Sequence, residues 1–353
     1  MIVTVYNSHN SGSFLQAFAL MRVLQQMGHE VAFLKRSVKG SSHDIKCVVK
    51  NVCKKLIKFQ FKQALCFLKE WFIYEDLQRL LPIVEIDSEY YKTAECVVLG
   101  SDTIWNFASK YFYINASRYL GCDFKGKKVI TYAASAGNTS QKLFKTVTGQ
   151  YGNLSCIDTI MVRDQYTKTL VESTSTNKAL LVTDPTLLVT KKIYETFKNI
   201  IPSSKPYLLL YFFGSIPPIL KNELLYYAKK HQLAIVSMPL SRTWCDVSVF
   251  SSPKNMVSYF FYAHSVVTDT FHGTAFSMIY EKSYAVYDAG KTKVVELLAT
   301  YNEKNRLFKD VSKVSDILSI NNTVIASGRI ESVRNDSLYL FKSALMKSNN
   351  GVV

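Results

Sequence analysis

Acidic residues are in short supply: 27 Asp and Glu stand against 43 Lys and Arg, a formal charge of +16 over 353 residues. No run approaches the roughly 20 consecutive apolar residues of a helical membrane span. The opening Met1-Ile2-Val3-Thr4-Val5 reads as a strand and lacks the charged start of a signal peptide, so a cytoplasmic protein is expected. The seven cysteines (Cys47, Cys53, Cys66, Cys96, Cys122, Cys156, Cys245) include no C-x-x-C pair and no neighbouring His in ligand spacing. That speaks against a disulfide frame or a zinc site, and no metal is expected. No G-x-G-x-x-G follows the first strand and there is no Walker P-loop, which leaves dinucleotide and NTP binding with little support. Helix-turn-helix, zinc-finger and RNP-type patterns are missing as well, so nucleic acid is not the expected partner of the charge. There is no internal repeat or low-complexity tract. A hydrophobic content of 48% with 20% charged residues excludes extensive disorder.

The positive charge is concentrated between Lys35 and Lys69. Lys46, Lys50, Lys54, Lys58 and Lys62 recur every fourth residue, and as a helix they form a slowly turning stripe with Val48, Val49, Val52, Leu56 and Phe59 largely on other faces. Two readings stand: an interfacial helix on anionic lipid, or a helix packed on its own domain with a solvated lysine face.

A chain of this length suggests two domains. Short β-rich runs alternate with helical ones, the pattern of βαβ units and a parallel sheet. Ile2 to Tyr6 reads as a strand, Phe14 to Met27 as a helix stopped at Gly28, and Glu30 to Leu34 as the next strand. Cys96 to Leu99, Lys128 to Tyr132, Asp158 to Val162 and Leu180 to Val182 continue the series. A polar stretch before Pro206 is read as the link. Beyond it come a strand Tyr207 to Phe213, a helix Pro217 to Lys230, a strand Leu233 to Ser237 and a helix Lys254 to Ala263. Strands Ser265 to Thr268 and Ser283 to Tyr287 follow, with helices Ala275 to Tyr280 and Lys291 to Thr300. The expected fold class is α/β with two Rossmann-like domains facing across a cleft, a GT-B-like arrangement. Residues 1–190 form the first domain, 191–205 the linker and 206–328 the second domain. The last segment, 329–353, is expected as a helix that crosses back to the first.

Chemistry is expected where strands end and helices begin, because open α/β sheets bind ligands outside the carboxyl ends of their strands. The run Asp269-Thr270-Phe271-His272-Gly273-Thr274-Ala275 sits at such a junction. There His272 offers a ring that titrates near neutral pH, beside backbone N–H groups that attract anions. Gly273 lets a ligand approach the backbone. The other reading is a histidine packed under a turn. The first strand leads into Asn7-Ser8-His9-Asn10-Ser11-Gly12-Ser13, whose hydroxyls and amides suit polyhydroxylated ligands, or in which Ser13 caps the following helix. Gly100-Ser101-Asp102-Thr103-Ile104-Trp105-Asn106 pairs a carboxylate with an aromatic face, as sugar sites do, although Asp102 serves equally as an N-cap. Arg163 is a candidate for a bidentate grip on carboxylate or phosphate, or for a surface pair with Asp164.

Together NSHNSGSFLQAFAL, VVLGSDTIWN, ITYAASAG, VRDQ, DPTLLV, VVTDTFHGTAFSMIY and NEKNRLF, spread from Val3 to Phe308, resemble the polysaccharide pyruvyl transferase family. The resemblance implies a GT-B-like enzyme that moves pyruvate from phosphoenolpyruvate to two sugar hydroxyls in a surface or capsular polysaccharide precursor. It forms a cyclic ketal and releases phosphate, without a further cofactor. It also implies roles. His272 and Arg163 are the catalytic pair, one handling a proton or facing phosphate, the other clamping the donor. Gly273, Thr274 and Lys293 are assigned to the donor, and Asn10, Ser13, Asp102 and Trp105 to the acceptor. The acceptor is expected to be a sugar, with a polyprenyl-diphosphate-linked one matching peripheral contact of Lys46–Lys62 with the inner face of the membrane. The chain departs from many relatives in carrying Lys254-Asn255-Met256 after Pro253, where they have an acid, and Lys293 where arginine is frequent. The architecture alone permits two alternatives: a GT-B glycosyltransferase using a nucleotide sugar, and a non-catalytic anion- or membrane-binding protein.

Overall fold

A computed structural model of the protein describes residues 1–6, 10–36, 49, 53, 71–198, 205–320 and 324–346. The chain divides into two compact units, Met1–Leu188 with Arg334–Val353, and Val189–Val333.

Among the described residues the first unit holds seven strands: β1 (Ile2–Val3), β2 (Phe33–Leu34), β3 (Ile83–Val84), β4 (Cys96–Leu99), β5 (Lys128–Thr131), β6 (Ile160–Val162) and β7 (Ala179–Leu181). Five form a parallel sheet in the order β3-β2-β1-β4-β5, and the parallel pair β6-β7 continues it through single bridges from Ile130 to Thr159 and from Ala134 to Val162. Buried apolar side chains fill β1, β2 and β6, as a sheet covered by helices requires, whereas Leu180 and Leu181 of β7 are exposed. The helix Ser11–Gln26 starts where the Asn10 side chain accepts the Gly12 N–H at 3.0 Å. Its Phe14, Leu15, Ala17, Ala19 and Leu20 are completely buried. The long helix Val324–Met346 contributes its residues from Arg334 onward to this unit. Ser337 Oγ accepts the Thr183 N–H at 3.0 Å, Arg334 Nε donates to Leu187 O at 2.9 Å, and the ring of buried Phe341 lies 4.4 Å from that of Tyr132.

The second unit contains β8 (Tyr207–Phe212), β9 (Ala234–Pro239), β10 (Val247–Ser248), β11 (Ser265–Thr268), β12 (Ser283–Tyr287) and β13 (Leu307–Phe308). All six are parallel, in the order β10-β9-β8-β11-β12-β13. Successive strands run outward in opposite directions from β8 and from β11, which makes this pair the switch point at which the loops beyond the strands diverge and leave a crevice. The register sets Thr268 opposite Tyr211, so the residue after β11 meets the end of β8.

Several elements differ from the expectations. β3, β10 and β13 are two-residue strands near the sheet edges, too short to show an alternating pattern. The proposed linker is structured at its start: Lys191–Tyr194 is a helix, Glu195–Phe197 a 3-10 turn, and buried Tyr194 packs its ring 5.1 Å from that of Phe276. Residues 191–198 therefore belong to the second unit. The helix expected from Ala275 begins at Phe271, because Thr270 Oγ1 accepts the Gly273 N–H at 2.9 Å and caps it four residues earlier. His272 thus lies in a helical first turn.

Candidate active site

Each unit gathers polar side chains at the carboxyl edge of its sheet. Asp269 follows β11 and is almost completely buried. Its carboxylate accepts the Phe213 N–H at 2.9 Å and the Gly214 N–H at 3.2 Å, tying the loop after β8 to the loop after β11. Lys291, from the loop after β12, donates to Asp269 Oδ2 at 2.8 Å and to Asp269 O at 2.9 Å. Arg242, from the loop after β9, donates through Nη2 to Gly214 O at 2.8 Å and Phe212 O at 3.2 Å. Burial lowers the Arg242 pKa, with Cys245 and Asp269 opposing the shift. His272 enters on the first turn of the helix Phe271–Ile279, half-buried, its ring edge-on to Phe271 at 5.4 Å. The positive end of that helix lies at the same turn.

Gly273 answers a different need from the one expected. A Cβ there would stand 2.1 Å from Thr268 Oγ1 and 2.6 Å from Thr270 Oγ1, so the absent side chain admits Thr268 and Thr270. The Gly273 N–H is held by Thr270 Oγ1, while buried Thr274 donates its hydroxyl to Thr270 O at 2.8 Å. Two of the three residues assigned to the donor, Gly273 and Thr274, thus take part in the cap. Lys293 sits in the first turn of the helix Thr292–Thr300, and the lysine that reaches the strand-end cluster is Lys291.

In the first unit, Gly100 takes φ +114°, and a Cβ there would come within 2.5 Å of Tyr132 O. The chain then turns so that half-buried Asp102 accepts Ser13 Oγ at 2.6 Å and the Thr103 N–H at 2.8 Å. Asp102 therefore joins the loop after β4 to the first helix, with Gln16 close by: its amide donates to Val5 O at 3.0 Å and Ser13 O at 2.8 Å, and its carbonyl receives the Ser101 hydroxyl.

Two expectations are corrected in this unit. Trp105 is fully buried, donating Nε1 to Tyr119 O at 2.8 Å with its ring 5.9 Å from Phe144, so no face of it is open to a sugar. Arg163 is an interior residue whose side chain is 3% exposed, bonded to Asp184 Oδ2 at 2.8 Å. Burial opposes its charge, yet Asp184, Asp102 and Asp164 outweigh that penalty and raise its pKa. The expected surface partner, Asp164, instead caps the helix Gln165–Thr174 by accepting the Thr167 N–H at 2.8 Å. The surface pair with Asp164 is therefore not formed.

Sequence reasoning missed Asp269, Lys291 and Arg242, of which Asp269 stood inside the quoted motif. A separate cleft of about 690 Å³ lies at the opposite, amino edge of the first sheet, lined by Met1, Tyr90, Cys96 and Lys128 among others. It contains none of these residues. Among the described residues no group of three or more His, Cys, Asp or Glu is placed to hold a metal, and no helix is long and apolar enough to cross a membrane. The lysine stripe Lys46–Lys62 lies outside the described residues.

The α/β fold with two Rossmann-like units is shared with a Listeria monocytogenes protein assigned as a UDP-N-acetylglucosamine 2-epimerase. The TM-score is 0.55 at 10% identity, over 100% of this chain and 99% of that one. The UDP-GlcNAc 2-epimerase of Neisseria meningitidis, solved with UDP-GlcNAc, gives 0.48 at 12% identity, over 98% and 100%. Among curated proteins no match is found. The family model for polysaccharide pyruvyl transferases matches residues 10–285, and the chain belongs to that family.

Proposed function

We propose that the protein transfers pyruvate from phosphoenolpyruvate to two hydroxyls of one sugar in a surface or capsular polysaccharide precursor, giving a cyclic ketal and inorganic phosphate. The observation that carries this reading is the cationic strand-end cluster of the second unit, where Lys291 bonds Asp269 just before the helix that bears His272 and Arg242 bonds the Gly214 that Asp269 holds. Phosphoenolpyruvate carries a carboxylate and a phosphate, and such a cluster supplies charge and donors for both.

The chemistry needs a proton delivered to the methylene carbon of the enol, which makes an oxocarbenium-like centre at C2. A first sugar hydroxyl attacks that centre and loses its proton. A second hydroxyl then displaces the phosphate, closing the ring. His272 is assigned the proton at one of these steps, because an imidazole can serve as acid or base. Lys291, oriented by Asp269, offers hydrogen-bond donors to the anionic donor, and its place at the strand ends makes it a stronger candidate than Lys293. On the acceptor side, Asp102 with Ser13 and Asn10 is assigned to the sugar, the Asp102 carboxylate accepting a hydroxyl proton. The enol phosphate brings its own activation, so this reading asks for no nucleotide cofactor. A polyprenyl-diphosphate-linked acceptor at the inner face of the membrane fits the positive charge of the Lys46–Lys62 stretch.

The test is incubation with phosphoenolpyruvate and a lipid-linked oligosaccharide, read by mass spectrometry and phosphate release. One added pyruvate ketal per phosphate released is expected, and His272→Ala should reduce it at least about a hundredfold without unfolding the protein. Nucleotide release from a sugar nucleotide, with no reaction of phosphoenolpyruvate, would instead make the protein a glycosyltransferase.

A further inference from the structure

We infer that Arg242 is an anion-binding residue of the second unit, gripping the phosphate or carboxylate of the donor. This rests on the reading of the donor as phosphoenolpyruvate. Lys291 and Arg242 reach the cluster at the β8/β11 switch, and they are placed differently. Lys291 is held at 2.8 Å by the buried carboxylate of Asp269, so within that pair its charge is neutralised. Arg242 has no such partner: its Nη2 donates to two main-chain oxygens, Phe212 O and Gly214 O. Among the described residues no carboxylate lies within ion-pair distance of it. Its Nε is buried without a hydrogen-bond partner. Asp269 acts on it only through the longer-range field, and that carboxylate is already engaged by Lys291.

Arg242 therefore keeps an uncompensated positive charge, on a planar group fixed by two carbonyls at the end of β8. A partly buried guanidinium held by carbonyl oxygens is oriented in advance but unneutralised. Such a fork matches the flat oxygen pairs of carboxylates and phosphates. The uncompensated charge also sets the sign of the ligand, since a neutral sugar would leave it unanswered.

The experiment is calorimetric titration of the full chain with phosphoenolpyruvate and, separately, with inorganic phosphate, for wild type, Arg242→Gln and Arg242→Lys. Losing a charged hydrogen bond to the ligand should weaken binding of the Gln variant about 10- to 100-fold, with Lys recovering part of the loss. Wild-type affinity in Arg242→Gln for both anions would overturn the inference and leave the proposed reaction standing. Wild-type protein that binds phosphate but not phosphoenolpyruvate would remove the proposed donor, and the phosphate arm would still decide Arg242. Binding of neither anion overturns both. Because the Arg242 carbonyl bonds also support a loop, phenylglyoxal labelling of the wild type, read by peptide mass spectrometry, gives an answer that needs no variant. Protection of Arg242 by either anion is expected, and labelling that neither slows counts against the inference.

Discussion

Arg163→Met separates an interior ion pair from a substrate clamp. Arg163 Nη1 bonds Asp184 Oδ2 at 2.8 Å with both side chains almost fully buried, while Asp184 Oδ1 accepts the Thr186 N–H at 3.0 Å and the Thr186 hydroxyl at 2.7 Å. Methionine preserves much of the volume and removes the charge, leaving the Asp184 carboxylate uncompensated. Breaking a buried pair from one side costs about 3–5 kcal/mol, and the two remaining Thr186 donors argue for the lower end. In a unit of this size such a loss lowers the melting midpoint by on the order of 10 °C. Fluorescence reports it in denaturant, since buried Trp105 belongs to the same unit as the pair. Adding Asp184→Asn keeps an acceptor for Thr186 and removes the stranded charge, so the double variant should recover about 1–2 kcal/mol of the loss. Donor affinity of the folded fraction should be unchanged. A single variant within about 1 kcal/mol of wild type, with weakened donor binding, would refute the assignment of Arg163 to the interior.

Gly273→Ala should destabilise the second unit by roughly 1–3 kcal/mol, since the new methyl meets Thr268 Oγ1 and Thr270 Oγ1; chemical denaturation measures it, and partial relief by Thr268→Ala would identify the clash. Burial, with His231 and Lys282 nearby, lowers the pKa of His264. A lowered folded-state pKa means that its contribution is intact above the unfolded value of about 6.5 and lost as pH falls through it. The wild-type melting midpoint should therefore fall more steeply than that of His264→Gln between about pH 7 and 5. The lysines from Lys46 to Lys62 should bind the full chain to anionic vesicles in a salt-sensitive way. Equal recovery on neutral and anionic vesicles at low salt would remove the membrane from the proposed function.

How much of this was legible in the residues depended on whether the information was local. Cys96–Leu99, Ser265–Thr268 and Ser283–Tyr287 were readable to the residue because each is a short β-branched or apolar core flanked by polar residues. The two-residue edge strands were not, since their existence depends on neighbours far along the chain. The junction at His272 carried its own signal, and its cap moved the helix start by one turn. Asp269 was visible as an acid in a motif, but its task depends on Phe213 and Gly214, some 55 residues earlier, and no spacing rule links them. Lys291 and Lys293 are indistinguishable by composition; the end of β12 at Tyr287 followed by a short turn selects the first. Trp105 misled for a related reason: an indole suits a sugar platform or a core equally, and the deciding partner, Tyr119 O, lies 14 residues on.

The helix Val324–Met346 makes the first unit discontinuous in sequence. Thr183, Leu187 and Tyr132 find their partners Ser337, Arg334 and Phe341 only after the whole second unit has been made. On a ribosome the first residues to emerge belong to a unit whose last packing elements emerge near the end, so the later-encoded unit has its complete chain first. A fragment ending at Leu188 would lack the ring that covers Tyr132 and expose that apolar surface, whereas the same fragment joined to the segment from Arg334 onward carries all the described parts of its core.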